Sequence, residues 1–334
     1  MVVSVREVAE DAGVSVGTVS NVLNRPERVA AETVARVQAS IERLGYVRND
    51  AARQLRAGRS RSIGLVVLDI RNPFFAEVVR GAEQRADEHG LSILVANSDE
   101  NRRREETHLD LFAEQRVAGV LITPVAESVP TLERLRDRGI PGVLVDRGSV
   151  DPGFSSVAVD DVDGGRIAAA HLLGIGRRRL AFVGGPTSLP QVSDRLRGAQ
   201  AVAAEAGTGL EFMATEALSV EEGRRAGRLL LERPAAERPD AVFAANDLLA
   251  LGLLQGLVMA GDVRVPEDIA LIGYDDIDFA ASAVIPLSSI RQPAALIGST
   301  AVDLLLRASE DPDAAGEQVL FRPELVARAS TLGA

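Results

Sequence analysis

The stretch Ser4 to Asn24, SVREVAEDAGVSVGTVSNVLN, reads as two short helices joined by a tight turn. Ser4 and Glu7 stand at capping-box spacing, so each can satisfy an orphan amide at the first helix start. Val5, Val8, Ala9 and Ala12 share one face of that helix. Gly13 suits the positive-φ position that ends it. Ser15 is placed to cap the second helix, whose apolar stripe is Val19, Val22 and Leu23. The outward positions Gly17, Thr18, Ser20 and Asn21 are small and polar. A face that slim fits between two phosphate backbones, with hydroxyls reaching phosphates and few side chains reaching base edges. An ordinary helical hairpin is the alternative reading of the same spacing.

Working outward, a third helix is expected from about Ala31 to Leu44, with Val34, Val37, Ile41 and Leu44 at helical spacing and Gly45 as its stop. The junction that follows, YVRNDAARQLRAGRSR (46–61), offers Asn49 as a cap for a short helix over Asp50–Ala57. Eight residues are too few to hold a helix alone, so this segment should order only when two copies pack on a partner. Leu55, flanked by Arg53 and Arg56, can wedge a minor groove while the arginines neutralise phosphate. A flexible linker whose leucine docks on the body explains the segment equally well.

With 334 residues the chain can build two or three domains. It has no cysteine, which excludes disulfides and thiolate metal sites. Its three histidines (His89, His108, His171) are far apart, which argues against a metal cluster. The net charge of −11 is unevenly spread: up to Arg61 there are 10 arginines against 7 acidic residues, leaving 27 against 41 beyond. A mildly basic head on an acidic body permits contact with nucleic acid at one end only. All basic residues are arginine, a bias read as genomic composition. The N-terminus lacks a signal-peptide layout, and the longest apolar run, 241–261, contains Asn246, Asp247 and Gln255. A cytoplasmic protein without membrane contact is expected.

The segments GVSVGTVSNVLN, LGYVRNDAARQLRAGR, IGLVV and NPFF, followed by RLRG at 195–198, NDLLALG at 246–252, VPEDIALIGYDDI at 265–277 and RPELVARAS at 322–330, resemble the lactose-repressor (LacI/GalR) family of bacterial transcription regulators. The likeness runs through almost the whole chain in order. It implies a homodimer on a near-palindromic double-stranded DNA operator, with hinge-helix leucines in the central minor groove. Val16, Gly17 and Asn21 match the family's base-reading positions and Leu55 its wedge. The expected DNA contacts are therefore Ser4, Ser15, Val16, Gly17, Thr18, Ser20, Asn21, Asn24, Asn49, Leu55 and Arg56. Three positions depart from the pattern. Gly17 has no side chain, so direct readout leans on Asn21. Ala30 replaces a hydroxyl at the start of the third helix, and Arg48 stands where proline is usual.

Beyond Ser62 apolar strands alternate with amphipathic helices. Expected strands are 63–68, 91–96, 119–122 and 142–145, then 180–183, 210–213, 242–245 and 269–272, a second series offset from the first by about 120 residues. Two similar βα halves predict two doubly wound parallel sheets facing each other across a cleft. The expected architecture is α/β: a three-helix helix-turn-helix head (1–47), a hinge helix and linker (48–61), and a two-lobed periplasmic-binding-protein-like body (62–334). Its first lobe takes about 62–160 and 291–320, its second about 161–290 and 321–334.

Ligands of open parallel sheets bind beyond the carboxyl ends of the strands. Those ends carry Asn72, Phe74, Phe75, Asp99, Asp146 and Arg147 in the first half, and Arg195, Asn246, Asp247, Tyr274, Asp275 and Asp276 in the second, with Gln292 at a crossover. Carboxylates, an amide-rich ring and two aromatic faces suit a neutral polyhydroxyl ring. Asp99, Asp247 and Asp276 serve equally well as helix caps, Phe74 or Phe75 as core, and Asp146–Arg147 as a surface pair. The body resembles periplasmic sugar-binding proteins, closest to the ribose-binding member. That likeness implies effector contacts at Asn72, Phe74, Phe75, Asp146, Arg147, Arg195, Asn246, Asp275 and Gln292, with Leu218 where an aromatic is usual, and ribose or a related monosaccharide as effector.

An enzyme is not expected. No histidine lies at a strand end beside a serine or carboxylate, no cofactor fingerprint follows a strand, and neither metal nor cofactor is implied. The competing functions are a sugar-binding protein without DNA function and a regulator answering a non-sugar effector. No leucine-heptad tail follows Ala334, which favours a dimer over a tetramer.

Overall fold

The computed structural model describes residues 3–46, 60–125, 129–149, 151–259, 263–311 and 314–333. The chain divides into two compact units, Met1–Arg59 and Ser60–Ala334.

In the first unit, α1 (Val5–Asp11) opens with the full capping box: Glu7 N donates to Ser4 Oγ, and Ser4 N donates to Glu7 Oε2 at 2.7 Å. Gly13 takes φ +62 in the turn. α2 (Val16–Asn24) begins where Thr18 N donates to Ser15 Oγ at 3.1 Å. α3 (Ala31–Leu44) lacks a side-chain cap at Ala30 and ends on Gly45 at φ +64. Val8, Ala9, Ala12, Val19, Val22 and Val37 form the core, with Val5, Leu23, Val34, Ile41 and Leu44 partly buried around it. Arg43 on α3 pairs with Asp11 on α1. The short hinge helix expected at 50–57 lies outside the described residues.

The second unit holds two six-stranded sheets. The first is built from β1 (Ser62–Val67), β2 (Ser92–Asn97), β3 (Gly119–Ile122), β4 (Gly142–Val145), β5 (Ser155–Val159) and β11 (Gln318–Phe321), in the order β11-β5-β4-β3-β1-β2. The second is built from β6 (Leu180–Gly184), β7 (Leu210–Ala214), β8 (Ala241–Ala244), β9 (Ala270–Asp275), β10 (Ser288–Arg291) and β12 (Glu324–Val326), in the order β12-β10-β9-β8-β6-β7. Each position in one order has its counterpart in the other. All described pairs are parallel except β10 with β12. The buried apolar runs of β1, β3, β4, β6, β8 and β9 are those expected of strands covered on both faces.

Helices α4 (Pro73–Glu88), α5 (Arg102–Glu114), α6 (Val129–Asp137) and α12 (Ala294–Glu310) go with the first sheet. The second has α7 (Asp161–Gly174), α8 (Pro190–Glu205), α9 (Val220–Leu231), α10 (Asp247–Val258) and two single-turn helices, α11 (Asp278–Ala281) and α13 (Ala329–Leu332). The chain crosses between the sheets after β5, after β10 and between β11 and β12. Three helix pairs meet at reciprocal glycines, and in α9 with α10 a Cβ on Gly223 or Gly252 would lie 2.2 or 2.1 Å from the carbonyl oxygen of Leu249 or Val220. A Cβ on Gly81 of α4 would lie 2.0 Å from the carbonyl oxygen of Ala295, and one on Gly298 of α12 2.0 Å from that of Val78. Gly165 of α7 and Gly198 of α8 stand likewise 2.0 Å from the carbonyl oxygens of Arg195 and Val162. These crossings let backbones touch, and that of α7 with α8 sets where Arg195 stands.

Candidate functional sites

On the head, Ser15 and Ser4 are occupied as caps, and Thr18 shares a 2.9 Å hydrogen bond with Ser15. Asn24 donates to the Ser20 carbonyl at 2.8 Å, which leaves the outward face of α2 to Val16 (39% exposed), Gly17 and Asn21. Capping hydroxyls at the start of α2, with the helix dipole behind them, favour phosphate. Asn49, Leu55 and Arg56 lie outside the described residues.

In the body, Asn72, Phe74, Phe75, Asp146, Arg195, Asn246, Asp275 and Gln292 line one interlobe pocket, together with Leu68, Leu189, Gln191, Val192 and Leu218. Its cavity is small, ≈ 30 Å3, because the lobes bond directly across it. Asn72 Nδ2 donates to Asp275 Oδ2 at 2.9 Å, and Gln191 Nε2 donates to the Asp146 carbonyl at 3.0 Å and its Oδ2 at 3.1 Å. Asn72 and Asn246 also cap α4 and α10 through their side-chain oxygens, which fixes their amide groups toward the cleft. Phe74 and Phe75 are both buried and meet edge to face at 5.1 Å. Asp146 and Asp275 close their strands at φ +57 and +103, a left-handed turn that non-glycine residues keep chiefly at functional sites.

The centre is Arg195, 4% exposed. It donates through Nε to Asp161 at 2.7 Å and through Nη1 to the Ala245 carbonyl at 2.8 Å, stands 3.8 Å from Asp275, and stacks 3.6 Å over the Tyr274 ring. Burial works against its charge, but Asp161, Tyr274, Asp275 and Asp146 outweigh it and hold the guanidinium above its ordinary value. Burial likewise raises Asp275 and Asp161, with Arg195 opposing. Asp146, raised by burial and then by Asp161 and Asp275, is pushed up to about 8. Near neutrality it carries a proton and can give as well as accept a hydrogen bond. Three buried oxygens lining this pocket, Asp146 Oδ1, Gln191 Oε1 and Gln292 Oε1, have no partner among the described residues.

Arg147 departs from its expected place. It lies half-buried in an adjoining chamber of ≈ 180 Å3, with Asp146, Asp160, Asp161, Gln191, Asp194 and Leu320. Asp146 lines both pockets, whereas Arg147 lines only the adjoining one. Asp99, Asp247 and Asp276 are outside the lining. Asp99 pairs with Arg71 and Arg104, Asp276 with Arg291 and Arg328, and Asp247 accepts from Ser289 and the Ile277 amide. Gln191 and Asp161 were not singled out in the sequence. Gln191 could have been, since it precedes Arg195 by one helical turn on the same face. Among the described residues no helix is long and apolar enough to cross a membrane, and no group of three metal-binding side chains occurs.

These features define a two-part molecule, a helix-turn-helix head and a periplasmic-binding-protein-like body with an interlobe cleft. Residues 4–49 match bacterial regulatory proteins of the lacI family, and residues 169–331 match the periplasmic binding protein-like domain. The ribose operon repressor of Escherichia coli K12 is 33% identical over 330 residues, covering 98% of this chain and 99% of that protein. The transcriptional repressor PurR of Aliivibrio fischeri MJ11 is 32% identical over 98% of both. Among solved structures, the lac repressor dimer bound to operator and an anti-inducer superposes with a TM-score of 0.85 at 28% identity, covering 99% of this chain and 100% of that one. A LacI-family regulator from Enterococcus faecium with bound ribose superposes at 0.74 with 29% identity, covering 82% and 99%. This chain belongs to the lacI family of bacterial regulatory proteins.

Proposed function

We propose that the protein is a homodimeric transcriptional repressor that binds a near-palindromic operator through its head, and that a monosaccharide, ribose or a close relative, sets its operator affinity from the interlobe cleft. The observation that carries the sugar reading is the set of three buried, unpartnered oxygens beside two phenylalanines and an arginine–carboxylate cluster. Hydroxyl groups supply the missing partners, and the phenylalanine faces cover C–H surface. The ribose operon relatives and the ribose-bound neighbour support the same class. Seating the ring parts the direct interlobe bond of Asn72 to Asp275, and the change in lobe spacing sets operator affinity. A coupling of ~1–3 kcal/mol would change operator affinity roughly 5–150-fold.

Calorimetry of the full chain against pentoses, hexoses and purine bases tests the effector, and gel shifts on promoter fragments from the source genome test the head. A pentose should bind, and Asp275→Ala should lose that binding while operator affinity in the absence of sugar is kept. Binding of purines alone, or a head that shifts no fragment, would overturn the corresponding half.

Closure also takes up a proton. Asp146 titrates at about 8 in the closed cleft, against 3.8 for an ordinary aspartate. A group raised in the closed form favours closure below its ordinary value and loses that effect as pH climbs to the raised one. Stability of the closed, sugar-free form is therefore expected to fall as pH rises from 6 to 8 and to level off above that. Thermal unfolding of the sugar-free chain from pH 6 to 9 should show this slope in the wild type and lose it in Asp146→Asn.

A further inference from the structure

Two chambers adjoin in the interlobe space, and one side chain stands between them. Gln191 and Asp146 line both the pocket of ≈ 30 Å3 and its neighbour of ≈ 180 Å3. Gln191 is 7% exposed and Asp146 5%, and their two hydrogen bonds, at 3.0 and 3.1 Å, form the partition. The second chamber is the larger of the two. Its walls mix charged groups (Asp160, Asp194, Arg147) with the apolar Ala158, Val159 and Val162, and it reaches the exposed Leu320, so it would accept a substituent with both polar and apolar faces.

We propose that Gln191 determines effector size: it bars the second chamber, so the cleft takes a free monosaccharide and rejects the glycoside or disaccharide that the remaining space would hold. Gln191 does this from α8, one turn before Arg195, with its amide nitrogen committed to Asp146 and its Oε1 unpartnered. A hydroxyl of a single ring can donate to that oxygen. A substituted ring has to displace the amide and break both bonds to Asp146. The inference rests on the sugar reading above and adds the length limit.

The test is calorimetry of the full-length protein with D-ribose and methyl β-D-ribofuranoside, with xylose and a xylose disaccharide as a second pair. The wild type is expected to prefer the free sugar at least tenfold, and Gln191→Ala to reduce that preference at least tenfold. Leu320→Trp, which fills the chamber from its exposed side, should restore the preference when added to Gln191→Ala. Gln191→Asn, shorter by one methylene, should lie between the wild type and alanine, and it provides the readout if the alanine variant folds poorly. Equal binding of free and substituted sugars by the wild type, an unchanged preference in both Gln191 variants, or a double variant that stays permissive would each overturn the size limit with the sugar reading intact. A wild type that binds no sugar overturns both.

Discussion

Replacing Arg195 by methionine is expected to destabilise the body by about 3–5 kcal/mol at neutral pH, the usual effect of removing one partner from a buried ion pair. The methionine fills much of the same volume and still packs on Tyr274, so the loss is mainly electrostatic. Asp161 loses a partner at 2.7 Å, Asp275 a cation at 3.8 Å, and the Ala245 carbonyl its donor. The pH dependence identifies the cause. Burial already raises Asp161 and Asp275, and Arg195 is what opposes that rise. Without it their folded-state values climb further above the unfolded ones. Carboxyls raised in this way favour the fold below their ordinary titration range and lose that effect as pH rises through the higher value. The deficit against wild type should thus be small near pH 4 and grow toward pH 7. Calorimetric unfolding of the full chain at several pH values measures it, and a deficit independent of pH would mean lost packing, not stranded carboxylates.

The second large effect is expected from Gly165→Ala. Its new Cβ would stand 2.0 Å from the Arg195 carbonyl oxygen, so α8 has to move. Overpacking of this kind costs about 1–3 kcal/mol. Because the atom struck belongs to Arg195, sugar affinity should fall as well, by tenfold or more if the guanidinium shifts by about 1 Å. Gly174 on the same helix is the control: nothing lies within 4 Å of its Cβ position, and alanine there should be neutral or stabilising by up to about 1 kcal/mol. The same substitution on one helix then has opposite outcomes, read from thermal unfolding and ribose calorimetry. Equal effects at both positions would rule out the close crossing.

The head was legible because capping leaves short-range marks: Ser4 with Glu7, Ser15 before Val16, and Gly13 and Gly45 after the helices all stand where spacing puts them. Eight strands were legible as apolar runs. The other four were not. β5 and β10 carry serine pairs, Ser155–Ser156 and Ser288–Ser289, buried by hydrogen bonds instead of apolar contact, and β11 and β12 are short edge strands with exposed positions. Missing β5 hid Asp161, which stands just beyond it as the partner of Arg195. Eight of the nine proposed cleft residues do line one pocket, because strand order alone brings carboxyl ends together. Arg147 lines only the adjoining chamber, which Asp146 also reaches.

The interleaved sheet order also bears on how the molecule is made. The edge strand β11, residues 318–321, and the covering helix α12, residues 294–310, belong to the sheet whose other five strands end at Val159. A ribosome needs roughly 8–30 s to add the intervening stretch of about 160 residues. Throughout that delay the earlier sheet presents an unpaired edge and an uncovered apolar face to solvent. The half that starts synthesis first therefore waits longest for its sixth strand, and nascent chains of this protein are natural clients for chaperones that shield such surfaces.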